Sequence, residues 1–156
     1  MKYEFTGEVK ICFGRTLHQI RAKISFGNIA KGDIGGWIES EKNLSQEGNA
    51  WVSGDARVFG DAWVSGNAWV SGDASIMWIS NIGSRSDTTT FFLDQKKEII
   101  VNCGCFHGTI EQFQEAVEKK HGDNLHGKMY RLAIEMAKMK LQSATNEPPE
   151  EGEADE

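Results

Sequence analysis

The stretch GNAWVSGDARVFGDAWVSGNAWVSGDASIM, residues 48–77, is five consecutive hexads of the form Gly-(Asn/Asp)-Ala-x-aliphatic-x. A degenerate sixth copy follows, in which Ser80 and Ile82 repeat the spacing of Ala74 and Ile76. Val52, Val58, Val64, Val70, Ile76 and Ile82 thus recur at every sixth residue, each with a small residue two positions before it. A helix would bring apolar residues back every three or four positions, and a glycine in each hexad would cost it roughly 1 kcal/mol apiece. One long flat strand would not tolerate the turn formers Gly-Asn and Gly-Asp at this frequency. What fits is a short strand, a turn at Gly-Asn/Asp and another strand, repeated. The alanine and the aliphatic residue point inward and the residue between them outward. Repeats of this length stack coil on coil as a β-solenoid.

The hexads resemble the left-handed parallel β-helix of hexapeptide-repeat proteins, with an aliphatic residue at one position and a small one four later, as in Val52/Ala56, Val58/Ala62, Val64/Ala68 and Val70/Ala74. Three hexads per coil is that family's geometry. The resemblance therefore implies that Trp51 stacks one rung, roughly 4.8 Å, from Trp69, with Arg57 over Ser75 and Trp63 over Asn81. Trp51, Trp63 and Trp69 then occupy outward slots, and exposed contiguous aromatic surface marks an interface unless the C-terminal helices cover it. Six hexads make about two coils, too few to bury a core alone, so the flanking segments are expected to cap both ends.

The fold class expected is mainly β with C-terminal helices, in four parts. Residues 1–30 read as a β-hairpin, with Tyr3, Phe5, Val9 and Ile11 alternating on one arm, Ile20, Ala22, Ile24 and Phe26 on the other, and Gly14 between them. Residues 31–83 are a cap and the solenoid. In the cap, Ile38 and Leu44 keep the six-residue step, two extra residues precede Val52, and Gly32, Gly35 and Gly36 imply a tight turn rather than a phosphate loop. Residues 84–142 read as a hairpin of strands at about 88–93 and 98–106 joined by a turn at 94–97, then two helices. Thr109 caps the first helix, over 110–121, with Gln112 at the reciprocal capping-box position; Ile110, Phe113 and Val117 form its buried stripe, and Gly122 ends it. The second helix, about 125–142, carries Leu125, Met129, Leu132, Met136 and Met139 at alternating spacings of four and three. That stripe needs an apolar surface, from the solenoid wall or another subunit. Residues 143–156 read as a disordered acidic tail.

Of 156 residues, 39% are hydrophobic and 26% charged, the balance of an ordinary soluble domain. No apolar run approaches a membrane span, the N-terminal MKYEFTGEVK lacks a signal-peptide core, and three cysteines favour a reducing cytoplasm over a disulfide framework. The net charge of −6 comes from the tail, whose six acids are unopposed; residues 1–142 carry 17 charges of each sign, which gives no support to wholesale nucleic-acid binding through a basic face.

Several residues are candidates for chemistry. In Cys103-Gly-Cys105-Phe-His107 a strand would turn two thiolates and an imidazole to one side. Structural zinc sites space their cysteines more widely and need a fourth ligand, which only His121 or His126, folding back, would supply. No metal or other cofactor is therefore expected. Hexapeptide-repeat acyltransferases use a histidine near a groove between subunits, and none lies between His18 and His107. The polar run Gly83-Ser84-Arg85-Ser86-Asp87-Thr88-Thr89-Thr90 is a better site, because backbone N–H groups, hydroxyls and an arginine fork together bind anions. Arg85 is the first phosphate contact expected, with Ser84, Thr88 and Thr90 supplying hydroxyls; Thr89 faces away by strand parity. A Trp or Phe would stack on a base. Arg15 and His18 add positive charge if the fold brings them close.

The cap KGDIGGWIESEKNLSQEGNAWVSGDA, the junction SNIGSRSDTTTFF and the segment CGCFHGTIEQFQEAVEKKHGDN resemble small hexapeptide-repeat proteins encoded by tailed phages and prophages, over roughly residues 1–140. The resemblance implies an accessory protein in the cytoplasm of an infected bacterium. The expected function is a non-enzymatic oligomeric binding protein, trimeric by analogy with left-handed β-helices. It would antagonise host defence by sequestering a small anionic nucleotide signal or by binding a host defence protein. The alternatives are an acyltransferase-like enzyme and a nucleic-acid mimic acting through the acidic tail.

Overall fold

The computed structural model describes residues 1–146. Strands β1 (Tyr3–Cys12) and β2 (Arg15–Ala22) form the expected hairpin. Its two-residue turn has Phe13 and Gly14 both at positive φ, 54° and 77°, as the right-handed twist of paired strands favours. The pairing register shifts between Phe5 and Val9, around Gly7 at φ 101°. Beyond that bulge Cys12 and Leu17 are buried, while Val9 and Ile11, which alternate with Tyr3 and Phe5 in sequence, face solvent.

β2 pairs antiparallel with β3 (Ile34–Ile38), and the chain then turns into the repeats through β4 (Trp51–Val52), β5 (Arg57–Val58) and β6 (Trp69–Val70). Three parallel contacts define the stacking: Ile38 on Val58, Leu44 on Val64 and Val52 on Val70. Trp51 sits opposite Trp69, as the hexad period requires. The first two contacts join residues 20 apart rather than 18, so the two extra residues before Val52 are absorbed at the third corner. The cap therefore forms the first layer of the stack and residues 57–70 the second. Ala50, Ala56, Ala62 and Ala68, with the four valines, fill the interior and are fully buried.

The stack ends sooner than the repeat in sequence. Gly48, Gly54, Gly60 and Gly66 each turn at φ 61–72°, but Gly72 is extended at φ −177° and leads into a 3-10 turn at Asp73–Ser75. Strand β7 (Ile76–Ile82) then leaves the repeats to pair antiparallel with β8 (Asp87–Leu93). The rungs expected for Arg57 over Ser75 and Trp63 over Asn81 do not form. Side chains satisfy this edge instead: Asp73 accepts from the Arg57 backbone N–H at 3.0 Å, Thr90 Oγ1 from Trp63 N–H at 3.1 Å, and Asn102 Nδ2 donates to the Trp63 carbonyl at 2.8 Å. The opposite end is closed by Tyr3, whose hydroxyl donates to the Leu44 carbonyl at 2.6 Å, and by Lys2, whose Nζ donates to the Ala50 carbonyl at 2.7 Å. Both ends thus lose the open backbone groups that invite edge-to-edge pairing.

β8 continues to β9 (Ile99–Cys103) and β10 (Phe106–Thr109), completing an antiparallel sheet of order β10-β9-β8-β7. Helix α1 (Ile110–His121) packs Ile110, Phe113 and Val117 on this sheet, with the Thr109/Gln112 capping box formed and Gly122 ending it at φ 54°. Helix α2 (Leu125–Asn146) runs past the expected end at 142, into the segment read as tail; the remainder of that segment lies outside the described residues. α2 buries Tyr130, Ala133, Ile134, Ala137 and Leu141 rather than the Leu/Met stripe. The whole is mainly β with mixed sheets, an N-terminal hairpin and two C-terminal helices. Among the described residues no helix is long and apolar enough to cross a membrane.

Candidate functional site

The turn between β7 and β8 is drawn tightly against α2. Gly83, at φ 86°, leaves no room for a Cβ because the Tyr130 ring and hydroxyl occupy that space, and the Ser86 N–H closes the turn on the Gly83 carbonyl at 3.2 Å. This packing sets Ser84 and Arg85 at the mouth of a cavity of about 310 Å³. The β9–β10 turn supplies Cys105 and Gly104 to the same cavity, and α1 supplies Lys120 and His121. Its apolar wall is aromatic: Phe106 lies 5.2 Å from Phe113, and Phe113 meets Tyr130 edge-on at 5.5 Å.

Among the described residues neither Arg85 nor Lys120 enters an ion pair, so both cations remain free to meet an anion. His121 is held below the usual imidazole range, first by partial burial and then by His126 and Lys120 beside it. Burial, reinforced by Cys103 and Asp87, raises the Tyr130 phenol and keeps it protonated as a donor. Its hydroxyl lies 3.8 Å from Cys103 Sγ.

A second cleft of about 290 Å³ shares Asp87 and Gly104 with the first and is lined by Trp63, Thr88, Thr90 and Asn102. The residues grouped by sequence are therefore divided: Ser84 and Arg85 line one cleft, Thr88 and Thr90 the other. Thr88 shares a hydrogen bond with Ser80 at 2.9 Å, and the buried Thr89 donates to Cys103 Sγ at 3.1 Å, on the opposite face as parity requires. Arg15 and His18 belong to neither cleft. Arg15 is ion-paired with Glu39 at 2.9 Å, and His18 stacks on Phe5 at 4.4 Å.

Trp51 is not an outward surface residue. It is 1% exposed, covered edge-on by Phe26 at 5.4 Å, and Gly35 of β3 lies so close that a Cβ there would meet the indole at 2.6 Å. The N-terminal segment, not the C-terminal helices, provides this cover, and Gly35 and Gly36 serve close packing within a strand rather than the turn. Trp69 is half-buried, and Trp63 remains 43% exposed at the second cleft.

The Cys103, Cys105 and His107 trio does not converge. Gly104, at φ 58°, breaks the expected strand into a hairpin in which Cys103 pairs with Phe106. Cys105 sits exposed in the turn, while His107 Nδ1 donates to the Asn102 side-chain carbonyl at 2.5 Å. No metal-binding cluster of His, Cys, Asp and Glu forms among the described residues.

Lys120, His121, Phe106, Phe113 and Tyr130 were outside the sequence-level site because they join Arg85 only through tertiary packing. The basic last turn of α1, Lys119-Lys120-His121, was the available signal. In comparisons with known proteins, no family model matches the chain and no curated protein shows significant similarity to it.

Proposed function

We propose that this chain is a non-enzymatic binding protein of phage origin, built on a short left-handed β-helix, that takes up a small anionic, nucleotide-like ligand between Arg85 and Lys120. The observation that carries the reading is the cavity itself: Arg85 and Lys120, which enter no ion pair among the described residues, line it together with Phe106, Phe113 and the Ser84 and Tyr130 hydroxyls. Arg85 offers a bidentate fork to a phosphate and Lys120 a point charge; Phe106 is the ring available to a base. At about 310 Å³ the cavity is at the small end of ligand pockets, roughly 300–1,000 Å³, which suits one nucleotide unit and not a polymer. Asp87, on the wall shared with the second cleft, repels anions from that side and directs the phosphate toward Arg85. Sequestering such a signal in an infected bacterial cell is the role this reading gives the protein. The three parallel contacts at 38/58, 44/64 and 52/70 support the β-helix assignment.

Native mass spectrometry of protein purified from infected cells tests this. The expected spectrum shows a retained ligand of nucleotide mass that is lost from Arg85→Ala. A ligand-free spectrum, together with full anti-defence activity of Arg85→Ala, would overturn it.

A further inference from the structure

The outer face of α2 is apolar without any use for it in the fold. Leu125, Met129, Leu132, Met136 and Met139 are 40–73% exposed, while the inner face of the same helix is already filled by Tyr130, Ala133, Ile134, Ala137 and Leu141. Their spacing of four and three repeats every seven residues, the period of a coiled-coil seam. Among the described residues nothing covers this seam. Because α2 is held by its inner face, a partner helix would not have to induce it.

The flanking charges select both the occupant and its direction. Lys128 and Glu135, both exposed, lie along one side of the seam. An antiparallel pair of identical helices can set Leu132 beside Met129 and Met136 beside Leu125 of the partner subunit, or slip one heptad to set Leu132 beside Met136, which would oppose Glu135 to Glu135; the charges favour the first register. Lys128 then faces Glu135 of the partner subunit, and the two-fold axis makes that pair twice. In a parallel pair Lys128 would face Ala133, and Glu135 would compete for Lys140, whose Nζ already donates to the Ile76 carbonyl of its own chain at 2.8 Å. We propose that the protein is a two-fold homodimer in which α2 packs antiparallel on α2 of a second copy, through Leu125, Met129, Leu132 and Met136 of the seam and reciprocal Lys128–Glu135 pairs. This stands independently of the ligand proposed for the Arg85 cavity and replaces the trimer expected from β-helix analogy.

Sedimentation velocity on the full chain at micromolar concentrations, with circular dichroism as the check on folding, tests the proposal. The wild type should sediment as a dimer and Leu132→Glu as a folded monomer, since that side chain touches no core. Lys128→Glu and Glu135→Lys should each weaken the dimer by several-fold in dissociation constant, and the double swap Lys128→Glu/Glu135→Lys should restore it. A monomeric wild type, a trimer, or a dimer indifferent to Leu132→Glu would overturn the proposal. Failure of the double swap to rescue would overturn the antiparallel arrangement.

Discussion

Asn102 joins the two halves of the molecule. Its amide nitrogen donates to the Trp63 carbonyl at 2.8 Å and Ser65 Oγ at 3.0 Å, and its oxygen accepts from His107. Because the oxygen is the acceptor, His107 carries its proton on Nδ1. Removing a buried amide leaves those partners unsatisfied, so Asn102→Ala should lower unfolding free energy by about 1–3 kcal/mol. Chemical denaturation measures this, and a loss below ~0.5 kcal/mol would show the junction to be unimportant. Asn43 does similar work within the stack, accepting from the Glu39 and Ser40 N–H groups and donating to the Gly60 and Ala62 carbonyls. Neither asparagine was legible in the sequence, where each reads as one more polar residue; their roles come from carbonyls supplied by distant turns. Lys2 is a third case. Burial pushes its ammonium down to about 8 from the ordinary 10.5, so the folded chain releases this proton before the unfolded chain does. Stability should therefore rise as pH climbs from about 8 toward 10, before the buried Tyr3, held protonated by burial, opposes it as the unfolded phenol ionises. Lys2→Met should flatten that rise in thermal melts; an unchanged slope would contradict the assignment.

Among elements, α1 was legible almost to the residue because every signal for it is local: the Thr109/Gln112 box, a three-residue buried stripe and the terminal Gly122. The stacking of the hexads was legible for the same reason, since a six-residue period with turn glycines permits few geometries. Where the stack stops was not legible, because Gly72 has the same Val-Ser-Gly-Asp-Ala context as Gly54 but is extended, and the antiparallel partner β8 decides the matter. The Leu/Met stripe of α2 misled about its inner face because helix periodicity identifies a stripe without saying what covers it. The glycines separate these effects experimentally. Gly35→Ala would drive a methyl into Trp51 and the Val52 carbonyl, at a cost of about 1–3 kcal/mol or more, whereas Gly72→Ala meets nothing within 4 Å and should be near neutral. Equal melting temperatures for the two variants would contradict the close packing of β3 on Trp51.

At the scale of the molecule, two layers of repeat are too few to stand alone, and the flanking segments complete them: the N-terminal hairpin and Lys2 at one end, the β7–β10 sheet at the other. The same arrangement creates the cavity, which forms where the sheet, its turns and both helices meet. Half of the candidate site was therefore visible as the Ser84-Arg85 turn, and half was hidden in residues that only tertiary packing brings to it. The central claim, that this cavity holds a small anionic nucleotide-like ligand, is tested most directly by isothermal titration of the full chain with a panel of cyclic and ADP-ribose-like nucleotides. We predict saturable binding of at least one, weakened in Arg85→Ala by about 1.5–3 kcal/mol, roughly ten- to 150-fold, with the melting temperature of the unliganded protein unchanged. Absence of binding across the panel, or equal affinity in wild type and Arg85→Ala, would contradict it.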